Sequence, residues 1–375
     1  MDVLRNPVER RCALELAALR ANDTDPRPAG WAMSPRAVER FVVGTGARAW
    51  PLTVDGRTTE VRVTRKLYGM DALVQRSIVT LASDRALLLI GEPGTAKSWL
   101  SEHLAAAISG DSLLAIQGSA GLTEDQIRYT WNYALLLAEG PTRRALVPAP
   151  LYTGMREGRV VRFEEITRAP HEVQDTLLQA LSEKVMLVPE LAGEDAVVLA
   201  RPGFNLIGTA NTRDRGVNDM SAALKRRFHF ETVPALDDLE QEVEVVRSQL
   251  AERTAGGPAE RVTVGDDVLE LLVTTFHELR NGETIDGVPI ERPSAAMSTA
   301  EAVAVAQHAA LFAACFGEGR LEPEHVVMQL DGTASKGDAD DRKLLRDYFD
   351  VAVKPRAVRE IGAWKAYFAA RTHLR

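Results

Sequence analysis

The stretch LLLIGEPGTAKSWL, Leu87 to Leu100, sets an apolar run against a Gly-Pro-Gly loop that ends in Lys97 and Ser98. Gly91 and Gly94 let backbone N–H groups converge on an anion, and a helix starting near Lys97 adds the positive end of its dipole. In such a loop Gly91, Glu92, Pro93, Gly94, Thr95, Ala96, Lys97, Ser98 and Trp99 are the residues placed to hold a nucleotide's phosphates. The Lys97 ammonium reaches the β- and γ-phosphates and the Ser98 hydroxyl ligates Mg2+. Ala96 stands where G-x-x-x-x-G-K-[ST] has its last glycine. It is the smallest replacement, and it fits if its backbone is near-helical rather than left-handed. The bland alternative is a Gly-Pro turn before an ordinary helix.

GEPGTAKS resembles the variant phosphate loop of the MoxR branch of the AAA+ ATPases, a branch that makes further demands on the chain. A hydrolytic enzyme of this kind needs a second strand that delivers one acid to the Mg2+ shell and a neighbouring acid to polarise water. VVRFEEITRAP answers that need: the strand Val160 to Phe163 ends in Glu164, the Mg2+-shell residue, and Glu165, the water-activating carboxylate. Glu164 stands where the family usually has aspartate, and Arg162 interrupts the apolar strand. A solvated acidic turn is the alternative. In FNLIGTANTRDRG, Asn211 follows a strand from Phe204 to Thr209 and matches the first-sensor residue that orients the attacking water, although asparagine past a strand is also a common turn residue. SAALKRRFHF carries Arg226 and Arg227, and the resemblance makes Arg227 the arginine finger that reaches a neighbouring subunit's nucleotide. Basic residues in a last helical turn are also favoured by the dipole alone.

The elements that must position these residues follow from hydrophobic period. From Lys66 to about Pro234 apolar strands alternate with amphipathic helices, as a parallel α/β sheet with helices on both faces requires. A strand Ala86 to Ile90 feeds a helix from Lys97 to Ile108. Residues 1–65 form an accessory segment, with helices at Pro7 to Ala21 and Ser34 to Val43 and a strand near Thr58 to Val63. Residues 235–353 read as an all-α lid domain, with helices at Leu236 to Leu250, Val268 to Arg280, Met297 to Phe316, Glu322 to Leu330 and Arg342 to Val353. Residues 354–375 are a basic tail interleaved with Trp364, Tyr367 and Phe368, either a docking helix for an acidic partner or a packed terminal helix. Two insertions resemble those of the MoxR-like ring ATPases: a helix-interrupting segment from Gly121 to Gly158, and a β-hairpin with strands Val185 to Val188 and Ala196 to Leu199. Tyr129, Trp131 and Tyr133 are candidates to grip a substrate in a pore, or else core aromatics. In RPSAAMSTAEAV the second-sensor position falls on Ala300, with Arg292 as a substitute from the loop.

Composition bounds the rest. The 375 residues are 45% hydrophobic and 26% charged, enough for a sizeable core. No stretch is expected to reach the roughly 20 apolar residues that span a bilayer, and the N-terminus lacks a secretory signal's apolar segment, so the expected location is cytoplasmic. Cys12 and Cys315 are too far apart in sequence to suggest a metal site or disulfide framework. A net charge of -8 argues against nucleic acid as the partner. The resemblance implies an ATP- and Mg2+-dependent hydrolase that forms a homo-oligomeric, hexameric ring and remodels or matures a protein, often one with a von Willebrand factor A-type domain. A slowly hydrolysing nucleotide-dependent scaffold and a nucleic-acid motor are the other readings.

Overall fold

The computed structural model describes residues 5–211, 220–359 and 362–374. The chain divides into two compact units, Met1–Gly91 with Ala96–Val233, and Glu92–Thr95 with Pro234–Arg375. Five parallel strands organise the first: β1 (Ala86–Gly91), β2 (Ala115–Gln117), β3 (Val160–Glu164), β4 (Asn205–Asn211) and β5 (Phe228–Thr232). Their spatial order is β5-β1-β4-β3-β2. A parallel sheet is covered on both faces, which is why β1 and β4 read as unbroken apolar runs. Leu87, Leu89 and Ile207 enter one core with Leu100 and Leu104, whereas Ala86, Leu88 and Leu206 enter another with Phe163 and Ile166. The helix Lys97–Ser109 follows β1 directly and stops at Gly110, whose left-handed φ of 69° suits glycine.

Residues 5–65 pack within this same unit. The expected helix Pro7 to Ala21 is broken at Cys12 into Val8–Arg11 and Ala13–Ala21. Pro35–Val43 begins as its sequence requires, with Pro35 in the first turn and the Ser34 hydroxyl accepting from the Ala37 N–H. The expected strand is Arg57–Arg62, and it pairs antiparallel with Ala49–Val54, a partner hidden in the sequence by Pro51. The first insertion contains an antiparallel pair, Tyr129–Trp131 with Leu146–Pro148, joined through the helix Tyr133–Glu139, of which no residue is buried. The second contains the hairpin strands Val185–Leu187 and Val197–Leu199.

The second unit is helical: Leu239–Thr254, Asp266–Asn281, Thr299–Phe316, Pro323–Leu330, Ala339–Tyr348, Lys354–Arg359 and Ala363–Ala369 are its α-helices. The segment expected to be one helix from Arg342 starts earlier, at Ala339, and passes into a π turn at Phe349–Val353. Thr299–Phe316 departs from the expectation about membranes: its 18 residues, with mean hydropathy 1.3, are long and apolar enough to cross one by length and composition. Its apolar character has a local use, because Ala302, Val303, Val305, Ala306, Ala309 and Ala310 are buried in this unit's core. The basic tail packs there too. Arg356 is 5% exposed, pairing with the fully buried Glu278, and Tyr367 is fully buried, so neither is available to dock a partner. Glu360 and Arg375 of that tail lie outside the described residues.

Candidate nucleotide site

In open parallel sheets, ligands bind beyond the carboxyl ends of the strands. Register brings the expected residues to that edge: Asn211, the last residue of β4, pairs with Gly91, the last of β1, and Gln117 of β2 pairs with Glu164 of β3. Beyond β1 the loop turns through Gly94 at φ 79°, and Thr95 Oγ1 donates to the Glu92 carbonyl at 3.0 Å. Ala96 corrects the expectation: it is left-handed, φ 67° and ψ 20°, the conformation the missing glycine would adopt without strain. An L-residue there costs about 1–2 kcal/mol. Alanine cannot cap, and the helix it opens has no side-chain cap; the first-turn N–H groups of a helix are the donors that an anion draws on. Lys97 is 7% exposed and its Nζ donates to the Gly91 carbonyl at 3.1 Å, which folds the ammonium back along the loop. Trp99 is committed to packing: its indole N–H donates to the Lys66 carbonyl at 2.9 Å and its ring lies 4.4 Å from that of His103.

The two acids meet the loop differently. Glu164 is 7% exposed, and Ser98 Oγ donates to its Oε2 at 2.6 Å. Thr209 Oγ1 donates to the same oxygen at 2.8 Å, while Oε1 lies 2.7 Å from both Ser101 Oγ and Arg162 Nη2. Burial alone would raise this carboxyl; the Arg162 guanidinium and the hydroxyls of Ser98, Ser101 and Thr209 outweigh it and hold it below the usual value. The arginine that seemed to interrupt an apolar strand is therefore the partner of the acid two residues on, since residues i and i+2 share a strand face.

Glu165 sits at the strand's end with φ 53°, and its N–H donates to Thr209 Oγ1 at 2.9 Å. Its carboxylate is one-third exposed and receives Arg168 Nη1 at 3.0 Å and Gln117 Nε2 at 3.1 Å. Gly118 is required beside it, because a Cβ there would lie 2.1 Å from the Glu165 carbonyl oxygen. Ser101 and Thr209 were not singled out from the sequence, although Ser101 is one turn beyond Ser98 and Thr209 shares a strand face with Asn211.

Arg226 is exposed at the C-terminus of the short helix Ala222–Lys225, and Arg227 Nε donates to Ser182 Oγ at 2.5 Å. The Arg227 carbonyl accepts from the Ala86 N–H, at the start of β1. Five residue steps of about 3.3 Å separate that end from the loop at Gly91, roughly 17 Å along the strand. Arg292 Nη2 donates to the Asn281 carbonyl within the helical unit, and Ala300 occupies the first turn of Thr299–Phe316. Of the three candidate pore aromatics, Tyr129 is half-buried, stacks edge-on against Trp131 and Tyr152, and donates to Glu190 at 2.9 Å. Burial, with help from Glu190, pushes its hydroxyl up to about 12. Tyr133 instead is 71% exposed.

Residues 86–228 match the AAA domain (dynein-related subfamily), and residues 240–375 match the YehL-like AAA+ ATPase C-terminal domain. YehL of Escherichia coli (strain K12) is 51% identical over 374 residues, covering 99% of this chain and 97% of the relative. The gas vesicle ATPase GvpN of Ancylobacter aquaticus is 28% identical over 199 residues, 49% of this chain and 55% of its own. Among solved structures, NtrX from Brucella abortus in complex with ADP gives a TM-score of 0.46 at 14% identity, over 84% of this chain and 64% of that one. A putative ATPase from Cytophaga hutchinsonii gives 0.37 at 15% identity, over 74% and 89%.

Proposed function

This chain belongs to the YehL-like AAA+ ATPase family, and we propose that it is a MoxR-type ring ATPase that uses ATP and Mg2+ to remodel or mature a protein partner in the cytoplasm. The observation that carries the reading is the Ser98 to Glu164 contact of 2.6 Å at the foot of a helix whose first residue is Lys97. A hydroxyl has one proton and two lone pairs; Ser98 spends its proton on Glu164, which leaves oxygen lone pairs for a cation. Serine and carboxylate oxygens are the hard donors that Mg2+ takes: Ser98 would supply a lone pair, and Glu164, whose four acceptor sites are taken by Ser98, Thr209, Ser101 and Arg162, would release one hydroxyl donor to hold the ion or its water. When bound, the ion would neutralise charge on the β- and γ-phosphates. Lys97 holds the same phosphates, Asn211 orients a water beyond β4, and Glu165 accepts its proton.

The place of Arg227 supports a shared site. Its backbone is fastened to the opposite end of β1 from its own phosphate loop, so its guanidinium is better placed for a neighbour's nucleotide. The protein partner is proposed to meet the exposed Tyr133–Glu139 helix, with a von Willebrand factor A-type domain protein as first candidate. A slow nucleotide-dependent switch is the second reading, favoured by the engagement of Glu165 with both Arg168 and Gln117. Measured turnover separates the two.

The shared site is tested by mixing. Lys97→Ala chains bind no nucleotide but keep Arg227; Arg227→Ala chains bind ATP but lack the finger, whose contribution is about 10³ to 10⁵ in turnover. Each alone is expected to be inactive, and the mixture to recover part of the activity. Mixed oligomers that recover none would leave Arg227 as a helix-end structural residue and overturn the shared site.

A further inference from the structure

Glu164 is held by more donors than a metal-shell acid needs. Ser98 and Thr209 take Oε2, and Ser101 and Arg162 take Oε1. Arg162 has no slack, for its Nε donates to Ser101 Oγ at 3.0 Å and its Nη1 to the Ser112 carbonyl at 2.9 Å. Both side chains of the ion pair are nearly buried, at 11% and 10% exposure. In such surroundings a charge left without its partner is strongly penalised.

Length matters as much as charge. The four donors come from different elements: Ser98 and Ser101 from the helix after the phosphate loop, Thr209 from β4, and Arg162 from β3 itself. An aspartate at 164 would draw both oxygens back toward β3 by about 1.5 Å, one carbon–carbon bond. Contacts of 2.6 to 2.8 Å stretched by that much are no longer hydrogen bonds.

We propose that Arg162 is a positioning residue for the metal shell: with Ser101 it anchors one oxygen of Glu164, so that the other is held against Ser98 and Thr209 in a single orientation. The inference rests on the reading of Ser98 and Glu164 as the Mg2+ shell. Arginine and glutamate then work only as a pair, and restoring the aspartate usual in the wider family does harm.

The test uses the full chain with Glu164→Asp, Arg162→Met, Arg162→Lys and the double variant Glu164→Asp/Arg162→Met. Binding of a fluorescent ATP analogue is measured in EDTA and across a Mg2+ titration, alongside turnover and thermal unfolding. Glu164→Asp and Arg162→Met should each raise the Mg2+ concentration for half-maximal effect tenfold or more, with affinity in EDTA unchanged within twofold. Arg162→Lys, which keeps the charge, should return to within threefold of the parent, and the double variant should be no worse than Arg162→Met alone. An unchanged Mg2+ response in Glu164→Asp and Arg162→Met, or a loss confined to melting temperature, overturns the proposal. Lys97→Ala separates the two levels. If it still binds the analogue, the phosphate-loop reading itself fails; if it does not, while the Arg162 variants titrate normally, only the pairing is refuted.

Discussion

His103, on the helix that follows the phosphate loop, makes the first unit's stability depend on pH. Its ring is 1% exposed, packed against Trp99 and Phe41, with Nδ1 2.7 Å from the Trp99 carbonyl. Burial lowers its pKa to about 3, the Trp99 carbonyl opposes that, and the nearby charges of Lys66, Arg11 and Arg5 lower it further. The folded state therefore holds a neutral imidazole where the unfolded chain takes up a proton below about 6.5. Between pH 6.5 and about 3 the unfolded state binds more protons, so stability falls as pH falls, by up to about 1.4 kcal/mol per unit. From pH 7.5 to pH 5 the loss comes to about 2 kcal/mol.

His103→Leu removes the titration while keeping an apolar side chain in the site. Urea unfolding of the nucleotide-free protein, followed by tryptophan fluorescence, reads this unit, since Trp31, Trp50, Trp99 and Trp131 lie in it and only Trp364 in the other. Carboxylates that titrate below pH 5 act on parent and variant alike and cancel in the comparison. The stability gap between the two should narrow by about 2 kcal/mol from pH 7.5 to pH 5. Parallel curves over that range would refute a buried neutral His103.

Four further outcomes follow from the geometry. Ala96→Gly relieves about 1–2 kcal/mol of left-handed strain but gives back about 0.4–1 kcal/mol of unfolded-state entropy and part of a methyl's burial, so calorimetry should find stability within about 1 kcal/mol of the parent. Ala96→Val, β-branched at positive φ, should melt several degrees lower. Glu165→Gln should keep ATP binding and lose about 10² to 10⁴ in turnover, the usual contribution of a positioned base, measured by phosphate release. Arg356→Ala strands Glu278, which is fully buried, and should cost the helical unit about 3–5 kcal/mol in urea unfolding, whereas a tail that only docked partners would leave stability unchanged.

What the sequence revealed of this site was the part carried by local backbone chemistry. A Gly-Pro-Gly loop between an apolar strand and a helix carries its own geometry, and so does an acid pair at a strand end. The partners of Glu164 were less visible because they depend on which strands are neighbours. Thr209 lies 45 residues from Glu164 and meets it only because β4 sits beside β3 in the sheet. Arg162 was in plain view but read as an interruption, since an apolar tally ignores the two-residue repeat that aligns it with Glu164.

Ala96 shows the limit most sharply. Alanine in place of the last glycine points to a near-helical backbone, and the loop instead keeps the left-handed conformation that glycine would adopt without strain. The strain at Ala96 is local and the contacts of Glu164 are long-range, yet both act on the helix that begins at Lys97. Ala96 sets where that helix starts, and Glu164 grips Ser98 and Ser101 along its first turns. A nucleotide that draws on the first-turn N–H groups and a cation that draws on Ser98 would therefore both act on this one helix, whose Ser98 and Ser101 are bonded to Glu164 at the end of β3.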